Sequence, residues 1–276
     1  MTTPVKRVAR QAAREAEAKP AVRVLARSGF AANGIVHLII GAIIIALAAG
    51  ARGEGDQAGA LKTIAAAPLG FVLLWLLAVA LAALGVWHLA EGILMRAPGD
   101  DVKGEAKKWG RRIGEWGQAV VFLVLGGITA SVALGARPNA EETAEGASRG
   151  VLSLPGGSWV LAVVGLGIGI GGIAFVVMGV RRSFRNKVSI PSGALGRTIT
   201  VLGVVGFVAK GIALAIVGVL ALVAAVKVDP TEAAGIDGAV DALLALTLGP
   251  WLVGVIGVGF VAYGVFCLFR ARYARL

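Results

Sequence analysis

The chain has 276 residues, 57% of them hydrophobic and 16% charged, with a net charge of +11. Apolar usage in soluble domains runs at about 45–50%, and the mean hydropathy here is +0.84, so composition excludes a soluble globular domain and points to an integral membrane protein. One cysteine, Cys267, excludes an internal disulfide and any multi-cysteine metal centre.

Residues 1–26 form a basic, alanine-rich arm with Pro20 near its end. A short helix lying on anionic headgroups and a solvated arm both fit this composition. Pro20 should interrupt any helix running from the arm into the first span. Six apolar runs follow: Phe30–Ala49, Leu69–Ala90, Trp116–Ala136, Ser158–Val180, Ile199–Val226 and Leu248–Phe269. Each is long enough to cross a hydrocarbon core of about 30 Å, which takes roughly 20 helical residues. Helices are expected because backbone groups in lipid must pair within their own segment. Ile39–Ala51 ends in small residues, as a signal peptide does, but the long preceding arm and two matching internal runs favour a retained helix.

The connections alternate in charge. The N-terminal arm, the second-to-third and fourth-to-fifth connections and the tail hold 21 of the 27 Lys and Arg residues. The basic residues flank membrane runs, so they read as orientation signals rather than a nucleic-acid surface, and no nucleic-acid partner is expected. Positive residues stay cytoplasmic, which predicts cytoplasmic N- and C-termini and, for a bacterial chain, the inner membrane. The opposite connections, 50–67, 137–157 and 227–247, are small or acidic, and none is long enough to be a domain.

The same two-helix unit occurs three times. Gly29, Gly114 and Gly206 match, as do Gly41, Gly126 and Gly218, with 12 residues between the paired glycines in every copy. The expected fold is therefore all-α and membrane-integral: six transmembrane helices as three parallel two-helix repeats, with pseudo-threefold symmetry about the membrane normal. The repeats occupy 27–96, 97–185 and 186–276 of one integrated domain.

Three tandem units with an Arg-x-Gly opening (Arg27-Ser28-Gly29, Arg112-Ile113-Gly114) and a Gly-x-aromatic near the end of the second helix (Gly85-Val86-Trp87, Gly264-Val265-Phe266) resemble a bacterial family, domain of unknown function 1206. The likeness covers roughly residues 24–270. Val204 replaces the arginine of the third unit and Ala174 the aromatic of the second. The resemblance implies architecture and no activity. Mitochondrial carriers share a threefold six-helix plan, but the odd-numbered helices here lack their membrane proline and salt-bridge signature.

The repeat register places Asn33, Gln118 and Lys210 at one point of the unit, where a closed ring would bring them to a common axis. A charge within the membrane is costly and marks function, yet Lys210 also lies within snorkelling reach of the inner surface. Asn33 and His37 share a helix face, either lining a polar cavity or bonding between helices. His88 and Glu91 sit three apart; two such groups without cysteine partners make a poor metal site, and interfacial anchoring is the simpler reading. Gly165, Gly167, Gly169, Gly171 and Gly172 offer a flat face for close helix packing. Gly167-x-Gly169-x-x-Gly172 spells a dinucleotide fingerprint inside a membrane helix, the wrong context for one.

No catalytic constellation, cofactor or metal motif is found, so no enzyme is expected. The expected partners are the bilayer, anionic headgroups at the basic edge, and a membrane-protein partner or a second copy. The first functional expectation is an accessory or scaffold protein that packs with membrane proteins or lipids. The second is a small transporter or channel with Asn33, His37, Gln118 and Lys210 lining a central cavity.

Overall fold

The computed structural model describes residues 20–51, 54–94, 102–233 and 235–274. The N-terminal arm up to residue 19 lies outside them. Six long helices carry the fold: α1 (Pro20–Ala48), α3 (Gly70–Leu94), α4 (Val102–Ala133), α6 (Gly157–Val180), α7 (Gly193–Lys227) and α9 (Gly249–Tyr273). All six contain a stretch long and apolar enough to cross a membrane, so the chain has the build of a multi-pass membrane protein. Among the described residues helix α1 already runs at Pro20, seven residues before the boundary drawn from sequence.

Three short helices, not foreseen in the sequence, fill the small or acidic connections: α2 (Gln57–Ala66), α5 (Ala140–Leu152) and α8 (Ile236–Leu244). Asp56 caps α2 through the Gly59 N–H, and Asn139 caps α5 through Glu141 and Glu142. Each unit is thus long helix, short helix, long helix. Helix α2 touches α1, α3 and α4, while α5 reaches the third unit, so the short helices also tie neighbouring units together.

Each short helix turns into the next long one through the same tight corner. A Cβ on Gly70 would fall 2.0 Å from Ile64 O, one on Gly157 1.9 Å from Val151 O, and one on Gly249 2.3 Å from Leu243 O. Only glycine fits such a backbone approach.

The tightest helix pairs join units rather than the two long helices of one unit: α3 with α4, α6 with α7, and α9 with α1. Matching positions make each crossing. Gly34 faces Gly264 and Gly41 faces Gly257 between α1 and α9; Gly211 faces Gly172 and Gly218 faces Gly165 between α7 and α6. Added Cβ atoms there would meet partner backbone at 2.6–3.1 Å. Between α4 and α3, Gly126 faces Ala78 at a looser 3.4 Å, because alanine stands where the other units have glycine. Small residues let helix backbones approach and gain packing in lipid, where no hydrophobic drive pulls helices together.

Contacts within the units differ. Gly29 packs on Leu84 and, at the equivalent point, Gly206 packs on Tyr263, but Gly114 and Gly171 face open space. Among the described residues, α4 and α6 make no substantial contact, so the bundle runs α4–α3–α1–α9–α7–α6 as an arc open at the middle unit.

Of the glycines expected to pack on α6, Gly165 and Gly172 meet α7, and the Gly169 backbone lies under Gly218. Gly167 and Gly171 have open space beside them. At 3.6 residues per turn, 165, 169 and 172 share a face while 167 and 171 turn away from it.

Helix α7 has 35 residues, about 52 Å of helix, well beyond a core of about 30 Å. The helix is therefore longer than a membrane crossing needs, and its first turns lie beside the α6–α7 connection. A 3-10 turn at Ser183–Lys187 and a bridge between Val188 and Ala274 tie that connection to the end of α9.

Candidate functional site

Close glycine contacts pack both α1 and α7 on α9, and this places His37 and Lys210 together. His37 is 3% exposed. Its ring stacks on Phe260 at 5.8 Å and tilts against Tyr263 at 4.8 Å. Its Nδ1 lies 2.8 Å from the Asn33 carbonyl oxygen, and its Nε2 lies 3.0 Å from Lys210 Nζ. A carbonyl only accepts, so Nδ1 carries the hydrogen and Nε2 offers its lone pair to the lysine ammonium. Two positive groups would repel at that distance; a neutral imidazole and an ammonium fit.

Aromatic rings enclose the lysine. Nζ sits 4.6 Å from the Tyr263 ring and 5.5 Å from that of Phe175. Their faces offset part of the cost of a desolvated cation. All three units contribute: His37 from the first, Phe175 from the second, Lys210 and Tyr263 from the third. Lys210 turns inward to histidine rather than outward to headgroups.

Asn33 extends the group by donating from Nδ2 to Cys267 Sγ at 3.5 Å. Cys267 is fully buried and also bonds to the Tyr263 side chain. One turn further along α9, the Arg270 guanidinium covers the Phe30 ring at 4.1 Å. The result is a polar ladder through an apolar bundle, with no carboxylate among its described members. Its centre is the hydrogen bond from the lysine ammonium to the histidine, and it has no exposed nucleophile.

Gln118 stands apart. It is exposed on α4, which packs on α3 and makes no substantial contact with α1 or α7. The repeat register puts it at the same place in its unit, but the open middle unit leaves that face uncovered.

Two further clusters lie at helix ends. His88 and Glu91 of α3 are joined by Glu115 of α4, whose Oε2 is 2.7 Å from His88 Nδ1. Sequence spacing did not reveal Glu115; the antiparallel α3–α4 pairing brings it there. Arg182, Arg185 and Arg197 border a cleft of about 380 Å³ at the foot of α7, with Ser192, Gly193 and Thr200 in its wall. Arg182 is held there with φ +55°, a left-handed conformation that ends the run from α6.

A family model for a domain of unknown function, DUF1206, matches residues 28–94, 113–182 and 205–274, one match per unit. The chain belongs to the DUF1206 family. An uncharacterized protein of Bacillus subtilis (strain 168), YxxB, is 24% identical over 267 residues, covering 94% of each chain. No solved structure matches. DUF1206 membership thus accounts for the triplicated membrane hairpin and brings no activity with it.

Proposed function

We propose that this DUF1206 protein is a non-enzymatic accessory or scaffold of the bacterial inner membrane that holds anionic lipid headgroups at its basic end. The cleft at the foot of α7 carries this reading. Three arginines surround the start of a 35-residue helix whose N-cap, Ser192, makes no side-chain cap bond. First-turn N–H groups and the helix dipole attract anions. Guanidinium groups bind phosphate in a fork geometry. The excess of basic residues on this side supports cytoplasmic termini, where a leaflet of anionic lipid adds about 1 kcal/mol of attraction per basic side chain. The repeated glycine crossings support three units of one orientation around a pseudo-threefold axis.

Native mass spectrometry after extraction from vesicles of mixed phosphatidylglycerol and phosphatidylcholine tests this. The chain should retain phosphatidylglycerol selectively, and a variant with Arg182, Arg185 and Arg197 all changed to Gln should lose that selectivity. Equal retention of both lipids, or retention untouched by the three changes, would end the lipid reading.

The His37–Lys210 pair favours a second reading, a small transporter using the polar ladder. Proteoliposomes should then show a solute or proton flux that Lys210→Met abolishes. Thiol reagents failing to reach cysteines placed at Asn33 and Ala213 would exclude a water path.

A further inference from the structure

At the end of the α3–α4 pair, one ligand-type atom each from His88, Glu91 and Glu115 lies within 4.8 Å of the others. We propose that these three side chains bind a divalent transition-metal ion such as Zn²⁺, Mn²⁺ or Fe²⁺. The donors are one imidazole nitrogen and two carboxylates, a set that suits these ions and leaves coordination positions open. Ion–ligand bonds of about 2.1 Å at tetrahedral angles put donor atoms about 3.4 Å apart, so side-chain rotation that draws the trio together by about an ångström completes the site.

The site is held from both helices. The His88 ring is fixed by stacking on Phe122 at 5.3 Å. Arg112, the neighbouring cation, directs Nε to Gly92 O at 3.0 Å and Nη2 to Ile93 O at 3.1 Å, tying the start of α4 to the end of α3. Two carboxylates and an imidazole suit a divalent cation in sign and in donor type. The ion would take the place of the hydrogen bond between His88 Nδ1 and Glu115. The Trp116 indole N–H is buried without a hydrogen-bond partner. It is an unspent donor against Gly92, one residue along the chain from Glu91, and its own residue follows Glu115. Glu91 is exposed and gives access from the aqueous side.

The test uses the full chain, purified on a tag free of histidine, stripped with chelator and titrated with Co²⁺ and Zn²⁺. One equivalent should bind, with a visible Co²⁺ spectrum of nitrogen and oxygen ligation. Glu91→Gln, His88→Gln and Glu115→Gln should each weaken binding at least tenfold, while Glu145→Gln, on α5, should leave it unchanged. No binding by folded wild-type chain would overturn the proposal. So would binding indifferent to Glu91→Gln and Glu115→Gln. Glu91 is exposed, so its substitution carries little risk to folding and keeps the test decisive.

Discussion

Gly41 and Gly257 meet across the α1–α9 crossing with no space for a side chain: a Cβ on Gly41 would lie 2.8 Å from Gly257 O and 2.7 Å from Val261 N. Gly41→Leu should therefore force the helices apart and lower the thermal midpoint in detergent sharply. Overpacking in a tight core costs about 1–3 kcal/mol, and more where backbone blocks relief. Gly167→Leu and Gly114→Leu, on faces with nothing within 4 Å, should leave the midpoint nearly unchanged. Equal losses at all three positions would contradict the pairing.

The middle unit is predicted to stay unzipped. In a background with Cys267→Ala, cysteines at Gly29 and Leu84 should cross-link, because Gly29 packs directly on Leu84. Cysteines at the equivalent Gly114 and Gly171 should not, since neither glycine has a neighbour within 4 Å. Efficient cross-linking of the second pair in membranes would mean that the arc closes.

The Lys210–His37 bond should show as coupling. His37→Leu strands an ammonium among aromatic rings, whereas Lys210→Met removes only a donor to histidine. The first should cost more, and the double variant less than the sum. A bond to a charged group contributes about 1.5–3 kcal/mol, which sets the coupling a double-mutant cycle should return. Additive losses would show that the pair does not hold α1 to α7.

On the opposite side, Asp237 of α8 accepts from the Gly55 N–H at 2.7 Å. Partial burial raises its pKa to about 6, opposed by that bond and helped by Asp56, Asp241 and Glu141. An acid with a folded pKa above its unfolded value binds its proton more tightly when folded. Its stabilisation is present at low pH and fades as pH rises from about 4 to about 6. The wild-type thermal midpoint should fall across that window, and Asp237→Asn, which keeps the acceptor oxygen, should fall less. An unchanged slope would remove Asp237 as the cause.

The six long helices were legible because length and hydropathy alone decide whether a segment crosses lipid. The repeat glycines were legible as a register, and Gly41, Gly126 and Gly218 of it proved to mark the helix crossings, while Gly114 has open space beside it. Three things escaped. The short helices α2, α5 and α8 have 10, 13 and 9 residues in small or polar sequence, too short and too mixed to stand out from loop. The partner of Lys210 is 173 positions away in the chain, and only the α1–α9–α7 sandwich joins them. Gln118 shares the register of Asn33 and Lys210, yet the side of α4 that carries it has no helix laid over it, so equal register did not give equal surroundings.

The placement of the tight crossings bears on how such a chain arose. A solitary hairpin of this kind would present a half-interface on its first helix and the complementary half on its second, neither able to satisfy the other. Copies would be driven to join head to tail, and three would complete the circuit. Residues 186–276 expressed alone should accordingly assemble as a trimer in the bilayer, a homomeric counterpart of what the intact polypeptide does within itself.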